Sequence, residues 1–246
     1  MKITKKIKKQ IDKHAKAVFP NECVGVIVDR DYHPLNNISD NPENHFHVDI
    51  AEYAEVTKDG TVRALIHSHT FDSPVDRRAA KRTIDRRTPS KSDMATQQAM
   101  NVPFGIIHTD GKAISDVLWF GENTTPELLE REFIHGVTDC YSIVRDYFKL
   151  ERDIELPDYP REWAWWESDE NMYLDLFEKT GFEEIDESDL QVGDVVLMSV
   201  LAESVNHAGV YVDNNKMLHH LVGRLSIIEP YNQWMKYKNK IVRYME

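Results

Sequence analysis

Hydrophobic positions in the first half of the chain follow two different periods. Near the N-terminus, Ile3, Ile7 and Ile11 recur at the spacing of one helix face, which predicts an amphipathic helix. Beyond it, short apolar or alternating runs lie between turn-forming residues, as strands do. Two further helices are predicted, over 51–60 and over 90–100. The predicted strands cover 22–28, 46–50, 62–69, 104–110 and 115–120.

The second half begins with helical patterns and continues with strands. The segment 140–149 has its apolar residues on one helix face, and a Trp-rich stretch predicts a second helix that ends at Gly181. The polar segment 121–130 contains both Gly and Pro and is the candidate domain boundary. The sequence therefore predicts an α+β fold with two domains, 1–121 and 122–246. The predicted strands of this half cover 194–198, 207–212, 216–221 and 241–245.

Composition and charge limit the classes of function. The 246-residue chain is 41% hydrophobic and 29% charged, which is typical of a soluble globular protein. Its net charge of −12 argues against a nucleic-acid partner, because phosphate contacts need a basic surface. The Lys-rich N-terminus lacks the apolar core of a signal peptide, and no apolar run approaches the roughly 20 residues that cross a bilayer. With two cysteines and no disulfide framework, we expect a cytosolic context without membrane insertion.

A candidate metal site lies in the first half. Side chains alternate across a strand, so His67 and His69 point to the same side and can share one Zn²⁺. A catalytic zinc needs three protein ligands, and Asp93 can be the third, from the first turn of the following helix. Glu22, at the start of another strand, can take a proton from metal-bound water, and Ser90 can hold the developing oxyanion.

These residues resemble the signature of the JAMM (MPN) zinc metalloproteases. Glu22, His67-Ser68-His69 and Pro89-Ser90-Lys91-Ser92-Asp93 carry the resemblance, which covers about the first 120 residues. It implies a mixed α/β domain in which the two histidines and the aspartate bind zinc. The glutamate is then the general base, and the serine assists the transition state.

Two features leave alternatives open for this metal site. The pair His45 and His47 has the same spacing, although it is equally well interpreted as the polar side of an edge strand. The polar insert 70–89 is longer than the gap usual in the family, and it contains Asp72 and Asp76 as alternative third ligands. Asp93 is preferred because a serine three residues before it opens the helix.

A candidate thiol site lies in the second half. Cys140 begins a predicted helix, where unpaired N–H groups and the helix dipole lower a thiol pKa. His207 begins one predicted strand and His219 lies on the next, so a two-strand meander brings the two rings together beside the thiol. His220 points to the opposite face and is the poorer candidate for orienting His207. Cys23 lies inside an apolar strand and is interpreted as core.

The surroundings of Cys140 resemble the NlpC family of papain-like peptidases. HGVTDCYSIVRDYF, DLQVGDVVLM and NHAGVYVDNNKMLHHL follow one another in the order of that family, over about residues 122–246. The resemblance implies that Cys140 is the nucleophile, His207 the base and His219 the residue that orients it. The backbone N–H of Cys140 would belong to the oxyanion hole, and peptidoglycan stem peptides would be the substrate. The Trp-rich stretch 161–173 is outside the common pattern, and core packing is favoured over a substrate platform.

A JAMM-like half followed by an NlpC-like half resembles the tail assembly proteins of lambda-type, long-tailed bacteriophages. This resemblance implies a hydrolase with a zinc-dependent (iso)peptidase and a Cys-His-His peptidoglycan peptidase, acting in tail maturation or in cell-wall digestion at entry. Its partners would be other tail tip proteins, in the host cytoplasm during assembly or at the virion tail tip. Two alternatives stay open: a non-catalytic assembly scaffold or chaperone with vestigial sites, and a bacterial wall-remodelling amidase, which usually carries an export signal.

Overall fold

The protein divides into two compact units, described here from a computed structural model. The first unit is Met1–Asn123 and the second is Thr124–Glu246, so the division lies two residues beyond the boundary predicted from the sequence. The mixed α+β class is confirmed. Among the residues described, no helix has the length and hydrophobicity that a membrane span requires. The structure describes residues 1–70, 87–122, 124–168 and 171–245.

Within the described residues, the first unit is built on a five-stranded sheet with the strand order β2-β1-β3-β4-β5. Neighbouring strands are antiparallel except for β3 and β4, which are parallel and joined by a crossover that contains α3. The elements are α1 (Lys5–Val18), β1 (Val24–Val28), β2 (Asp31–Leu35), α2 (Ile50–Thr57), β3 (Val62–Thr70), α3 (Lys91–Met100), β4 (Phe104–Thr109) and β5 (Leu118–Phe120).

Helix α1 supplies one side of the core of the first unit. Ile7, Ile11 and Ala15 recur at helical spacing, are buried, and pack with apolar residues of β1, β2, β3 and β4. The Thr4 hydroxyl caps the helix by accepting a hydrogen bond from the backbone N–H of Ile7 at 3.2 Å. Cys23 belongs to the same cluster, so its interpretation as a core residue is confirmed.

The strand predicted over 46–50 is wrong. Asp49 instead caps α2, because its carboxylate accepts hydrogen bonds from the backbone N–H groups of Ala51 and Glu52. The preceding segment is held by the Asn37 side chain, whose amide nitrogen donates to the carbonyl of His45 at 3.0 Å. The second strand is β2, in a region where no strand was predicted, and it buries Tyr32 against the core.

The second unit is built on a six-stranded antiparallel sheet, within its described residues, with the order β10-β9-β8-β7-β11-β6. Short 3₁₀ turns lie at Trp165–Glu167, Glu187–Asp189, Tyr231–Gln233 and Met235–Tyr237. The regular elements are α4 (Cys140–Arg152), α5 (Met172–Lys179), β6 (Phe182–Glu184), β7 (Val195–Met198), β8 (His207–Asp213), β9 (Lys216–His219), β10 (Ile227–Pro230) and β11 (Lys238–Tyr244).

The second predicted helix of this unit is shorter than the sequence pattern suggests. Ala164 has a left-handed backbone with a φ of +58°, which interrupts a right-handed helix, and α5 begins only at Met172. Residues 169 and 170 of the predicted helix lie outside the described residues. Trp165 and Tyr173 are buried in the cluster that packs α4 onto the sheet, which confirms core packing for these two aromatic residues.

Candidate functional sites

Three buried side chains converge in the first unit. The Nε2 atoms of His67 and His69 lie 3.3 Å apart. Asp93 approaches both rings, with Oδ1 at 3.3 Å from His67 Nε2 and Oδ2 at 3.4 Å from His69 Nε2. Their ligand atoms therefore all lie within 4.8 Å of one another, at the spacing of side chains that share one metal ion. Within the described parts of the chain, His45 and His47 form no such group with a third residue.

Strand alternation and helix capping position these three groups. His67 and His69 are two residues apart on β3, so their side chains lie on one face of the sheet. Ser90 caps α3: its hydroxyl accepts from the Asp93 backbone N–H at 3.1 Å, and its own backbone N–H donates to Asp93 Oδ2 at 2.8 Å. The reciprocal cap fixes the carboxylate beside the histidine pair. The alternatives Asp72 and Asp76 lie outside the described residues.

Glu22 lies two residues before β1, the strand next to the one that carries the histidine pair. In the antiparallel register Val24 faces His67, and continuing that register by two residues places Glu22 opposite His69. The Cys23 backbone N–H donates to the Ser68 hydroxyl at 2.8 Å, which ties the two strands together at this point. Glu22 is buried. Its carboxyl group therefore belongs to the sheet face that carries the two imidazoles.

The electrostatics and donor atoms of this cluster fit a zinc ion. Burial lowers the pKa of His67, so the ring is held neutral, as a metal ligand must be. Burial raises the pKa of Asp93, but the interactions with the His67 and His69 rings, including hydrogen bonds from both, outweigh it and hold that pKa well below its usual range. Two imidazole nitrogens and one carboxylate are one of the donor sets found in three-ligand catalytic zinc sites.

Cys140 begins α4 in the second unit, and Asp139 caps that helix. The Asp139 carboxylate accepts from the backbone N–H groups of Tyr141 at 3.1 Å and Ser142 at 2.9 Å. The Cys140 sulfur lies 3.1 Å from the Tyr173 hydroxyl and 3.9 Å from the carbonyl oxygen of Asn206. The residue after Asn206 is His207, so the thiol lies against the start of β8.

A buried guanidinium holds the Asp139 cap in place. Arg161 donates to both carboxylate oxygens of Asp139, from Nε at 2.8 Å and from Nη2 at 2.9 Å. Burial raises the pKa of Asp139, but the positive charge of Arg161 outweighs it and keeps that pKa well below its usual range. Arg161 also donates to the Tyr159 carbonyl at 2.7 Å, so one side chain connects the cap to the segment before α5.

The two predicted histidines of the thiol site form a hydrogen-bonded pair. Strands β8 and β9 are antiparallel neighbours, with Gly209 opposite His219, and His207 Nε2 lies 3.0 Å from His219 Nδ1. Burial lowers the pKa of His207 well below its usual value and that of His219 to about 4. His220 turns away: its Nε2 lies 3.2 Å from the Arg224 carbonyl oxygen.

The thiol of Cys140 is protonated in this arrangement. Burial and the negative charge of Asp139 raise its pKa to about 12, against the opposing hydrogen bond from Tyr173. The nearby histidine pair is neutral because burial lowers its pKa values. A nucleophilic role therefore requires transfer of the thiol proton to a histidine during the reaction, rather than a preformed thiolate.

Three residues of the thiol site were not predicted from the sequence. Arg161 and Tyr173 follow α4 in the sequence. They contact Asp139 and Cys140 at the start of that helix, although they are 22 and 33 residues away along the chain. Glu229 lies on β10, a strand absent from the sequence-based expectation, with its Oε2 3.6 Å from His219 Nε2. Only Arg161 carried a signal, since a cation was needed to compensate a buried aspartate at the helix start.

Comparison with known proteins supports the assignment of the second unit. Residues 119–244 match the NlpC/P60 family. The tail tip assembly protein K of Escherichia phage N15 is 37% identical over 241 residues, which cover 95% of this chain and 92% of that protein. The chain belongs to the phage tail tip assembly proteins with an NlpC/P60 domain. The tail tip assembly protein K of Escherichia phage lambda is 33% identical over 194 residues, covering 78% of this chain and 87% of that protein.

The NlpC/P60 match includes Cys140, His207 and His219, and the family is one of cysteine-type hydrolases. It begins at residue 119, after the cluster of His67, His69 and Asp93. Among solved structures, an NlpC/P60 family protein from Bacillus cereus is 13% identical, with a TM-score of 0.37, and the match covers 99% of this chain and 67% of that chain. At such a score the structural likeness adds nothing to the sequence match.

Proposed function

We propose that the second unit hydrolyses peptide bonds through Cys140. One observation carries the proposal. The Cys140 sulfur, at the start of α4, lies against the backbone of Asn206, and the next residue, His207, is hydrogen-bonded to His219. His207 takes the thiol proton as the sulfur attacks the carbonyl carbon, and the backbone N–H of Cys140 stabilises the oxyanion. The proton then passes to the leaving amine, and water hydrolyses the thioester to release the acid and restore the thiol.

The proposed substrate class and biological setting are supported by the family and the phage relatives. The NlpC/P60 match suggests peptidoglycan stem peptides as the substrate of Cys140. The phage N15 and lambda relatives are named tail tip assembly proteins. We therefore place this protein with other tail tip proteins in the host cytoplasm during assembly or at the virion tail tip, where wall digestion would assist entry.

Hydrolysis of purified peptidoglycan tests this proposal. The wild-type protein should release stem peptides, and Cys140→Ala should lose at least about 10³-fold in rate, because the nucleophile is gone. Cys23→Ala is the matched control, since it removes the other cysteine, which lies in the core of the first unit. Released peptides are measured by mass spectrometry. Equal release by wild type and Cys140→Ala would show that Cys140 is not the nucleophile.

We propose in addition that the first unit is a zinc peptidase. His67, His69 and Asp93 would hold the ion, and the proposal is supported by the convergence of their three buried ligand atoms. A zinc ion there would polarise a peptide carbonyl and activate a water molecule. Glu22, on the same sheet face, would hold the proton released from that water. The Ser90 hydroxyl, which donates to Asp93 Oδ2 at 2.8 Å in this structure, would turn to donate a hydrogen bond to the carbonyl oxygen of the substrate.

Metal analysis of the purified protein tests the zinc proposal. We expect about one zinc per chain after expression with zinc supplied, and its loss in His67→Ala, because two remaining ligands bind zinc weakly. His47→Ala is the matched control, since it removes a histidine of the other His-x-His segment. Purified protein that contains no zinc under these conditions would contradict the zinc proposal. If Cys140→Ala and His67→Ala both assemble normal tails, and the wild-type protein releases no peptides, the protein is a non-catalytic assembly factor.

A further inference from the structure

A carboxylate lies directly behind the histidine pair of the thiol site. Glu229 is on β10, which pairs with β9, and its Oε2 lies 3.6 Å from Nε2 of His219. The same oxygen accepts a hydrogen bond from the Trp234 indole N–H at 3.2 Å, and Arg224 pairs with the other oxygen. The Trp234 ring also packs edge-on against the His219 ring, with centroids 4.4 Å apart. The position of the carboxylate is thus fixed from three sides.

This arrangement dictates where the imidazole protons lie. A neutral imidazole carries one N–H, and a carboxylate only accepts hydrogen bonds. Nε2 of His219 makes no hydrogen bond to the described residues, but the negative charge of the carboxylate 3.6 Å away favours the tautomer with its proton on Nε2, which leaves Nδ1 as an acceptor. Nε2 of His207, at 3.0 Å from that Nδ1, must then be the donor. The remaining nitrogen of His207, Nδ1, is left with a free lone pair.

We propose that Glu229 is a positioning residue that fixes the tautomers of His219 and His207, so that Nδ1 of His207 is the base for the Cys140 thiol. The proposal rests on the proposed function of the second unit. The opposite tautomer of His219 would donate from Nδ1 to Nε2 of His207. It would thereby place the proton of His207 on Nδ1 and leave the thiol without a base.

The substitution Glu229→Gln is tested in a Trp234→Phe background, because the buried Trp234 N–H donates to the carboxylate oxygen next to His219 and would hold an amide oxygen there. The Trp234→Phe parent should keep the wild-type tautomers, and Arg224 is then the remaining donor to the side chain of residue 229 within the described residues. Arg224 requires an acceptor, so the amide oxygen turns toward the guanidinium. The amide NH₂ then faces His219 Nε2 and donates to it, which moves the His219 proton to Nδ1. We expect kcat to fall by at least about 10²-fold, the lower range of what a positioned base contributes, while KM changes little.

Nitrogen-15 NMR of the histidine rings at neutral pH measures the tautomers without any turnover. Wild-type protein should have the proton on Nε2 in both His207 and His219, and Glu229→Gln in the Trp234→Phe background should move it to Nδ1. Arg224→Met is the matched control, because it breaks the Arg224 pair but keeps the carboxylate, and it should retain both Nε2–H tautomers. An Nδ1–H tautomer of His219 in the wild type would overturn the proposal, as would unchanged tautomers in Glu229→Gln in that background.

This experiment separates the inference from the proposed function. If the wild-type protein has the expected tautomers but cleaves no peptide, the hydrolase proposal fails and the positioning by Glu229 stands. If Cys140→Ala abolishes cleavage but the tautomers differ from those expected, the hydrolase stands and the role of Glu229 is wrong. A fall in activity of Glu229→Gln without a change of tautomer would also contradict it, because general loss of structure explains such a result.

Discussion

Replacing Arg161 with Met should lower the free energy of unfolding of the second unit by about 3–5 kcal/mol, the usual cost of removing one partner of a buried ion pair. The Arg161 side chain is 2% exposed and is the only cation with a bidentate contact to the Asp139 carboxylate within the described residues. Without it, Asp139 keeps a buried negative charge at the start of α4. Urea unfolding followed by tryptophan fluorescence measures the loss.

Arg145→Met is the matched control for this substitution. Arg145 lies on α4 and pairs with Asp158, but its side chain is 23% exposed, so water screens the pair. We expect a loss of unfolding free energy below about 1 kcal/mol. Equal losses in both variants would contradict the role given to Arg161.

The contribution of the Arg161–Asp139 pair to the free energy of unfolding should also depend on pH. Because the folded pKa of Asp139 is depressed, the contribution is present above the unfolded pKa of about 3.9 and is lost as the pH falls toward the folded value.

Replacing Tyr173 with Phe should make the Cys140 thiol harder to ionise. The Tyr173 hydroxyl lies 3.1 Å from the sulfur and stabilises the thiolate by donating a hydrogen bond. A hydrogen bond to a charged group contributes about 1.5–3 kcal/mol, and one pKa unit corresponds to about 1.4 kcal/mol. We therefore expect the pKa of Cys140 to rise by about one to two units, and the alkylation rate by iodoacetamide at pH 8 to fall about 10- to 100-fold.

The measurement uses a Cys23→Ala background, in which Cys140 is the one remaining thiol. Tyr141→Phe is the control, because the Tyr141 hydroxyl donates to the carbonyl of Pro157 and not to the sulfur. Its alkylation rate should match that of the parent protein. A faster rate in Tyr173→Phe would mean that the hydroxyl blocks the thiol rather than stabilises its thiolate.

The positions of the candidate site residues could be predicted where local geometry fixes them. His67 and His69 share a face because a strand alternates, and Asp93 follows a serine that caps a helix. The pairing of His207 with His219 follows from two adjacent antiparallel strands. In each case the relevant contact depends on a few neighbouring residues or on one strand pair, which sequence patterns describe well.

Residues that act through long-range contacts could not be predicted in the same way. Arg161 reaches Asp139 across 22 residues, and Tyr173 reaches Cys140 across 33. The error over residues 46–50 has another origin: an alternating pattern that fits a strand also fits the entry to a helix when an aspartate caps it. Here Asp49 decided the outcome, because its carboxylate satisfies two backbone N–H groups that a strand would have used elsewhere.

His69 and Asp93 are held by separate elements of the crossover between β3 and β4, so their positions do not depend on the number of residues between them. His69 is held by the parallel pairing of β3 with β4, and Asp93 by the cap of α3, so each candidate zinc ligand is fixed on its own side of the insert 70–89. The entropy of closing a loop grows only with the logarithm of its length, and each doubling costs about 0.6 kcal/mol. A change in the number of residues between β3 and α3 should therefore cost little folding free energy, and both candidate zinc ligands should keep their positions.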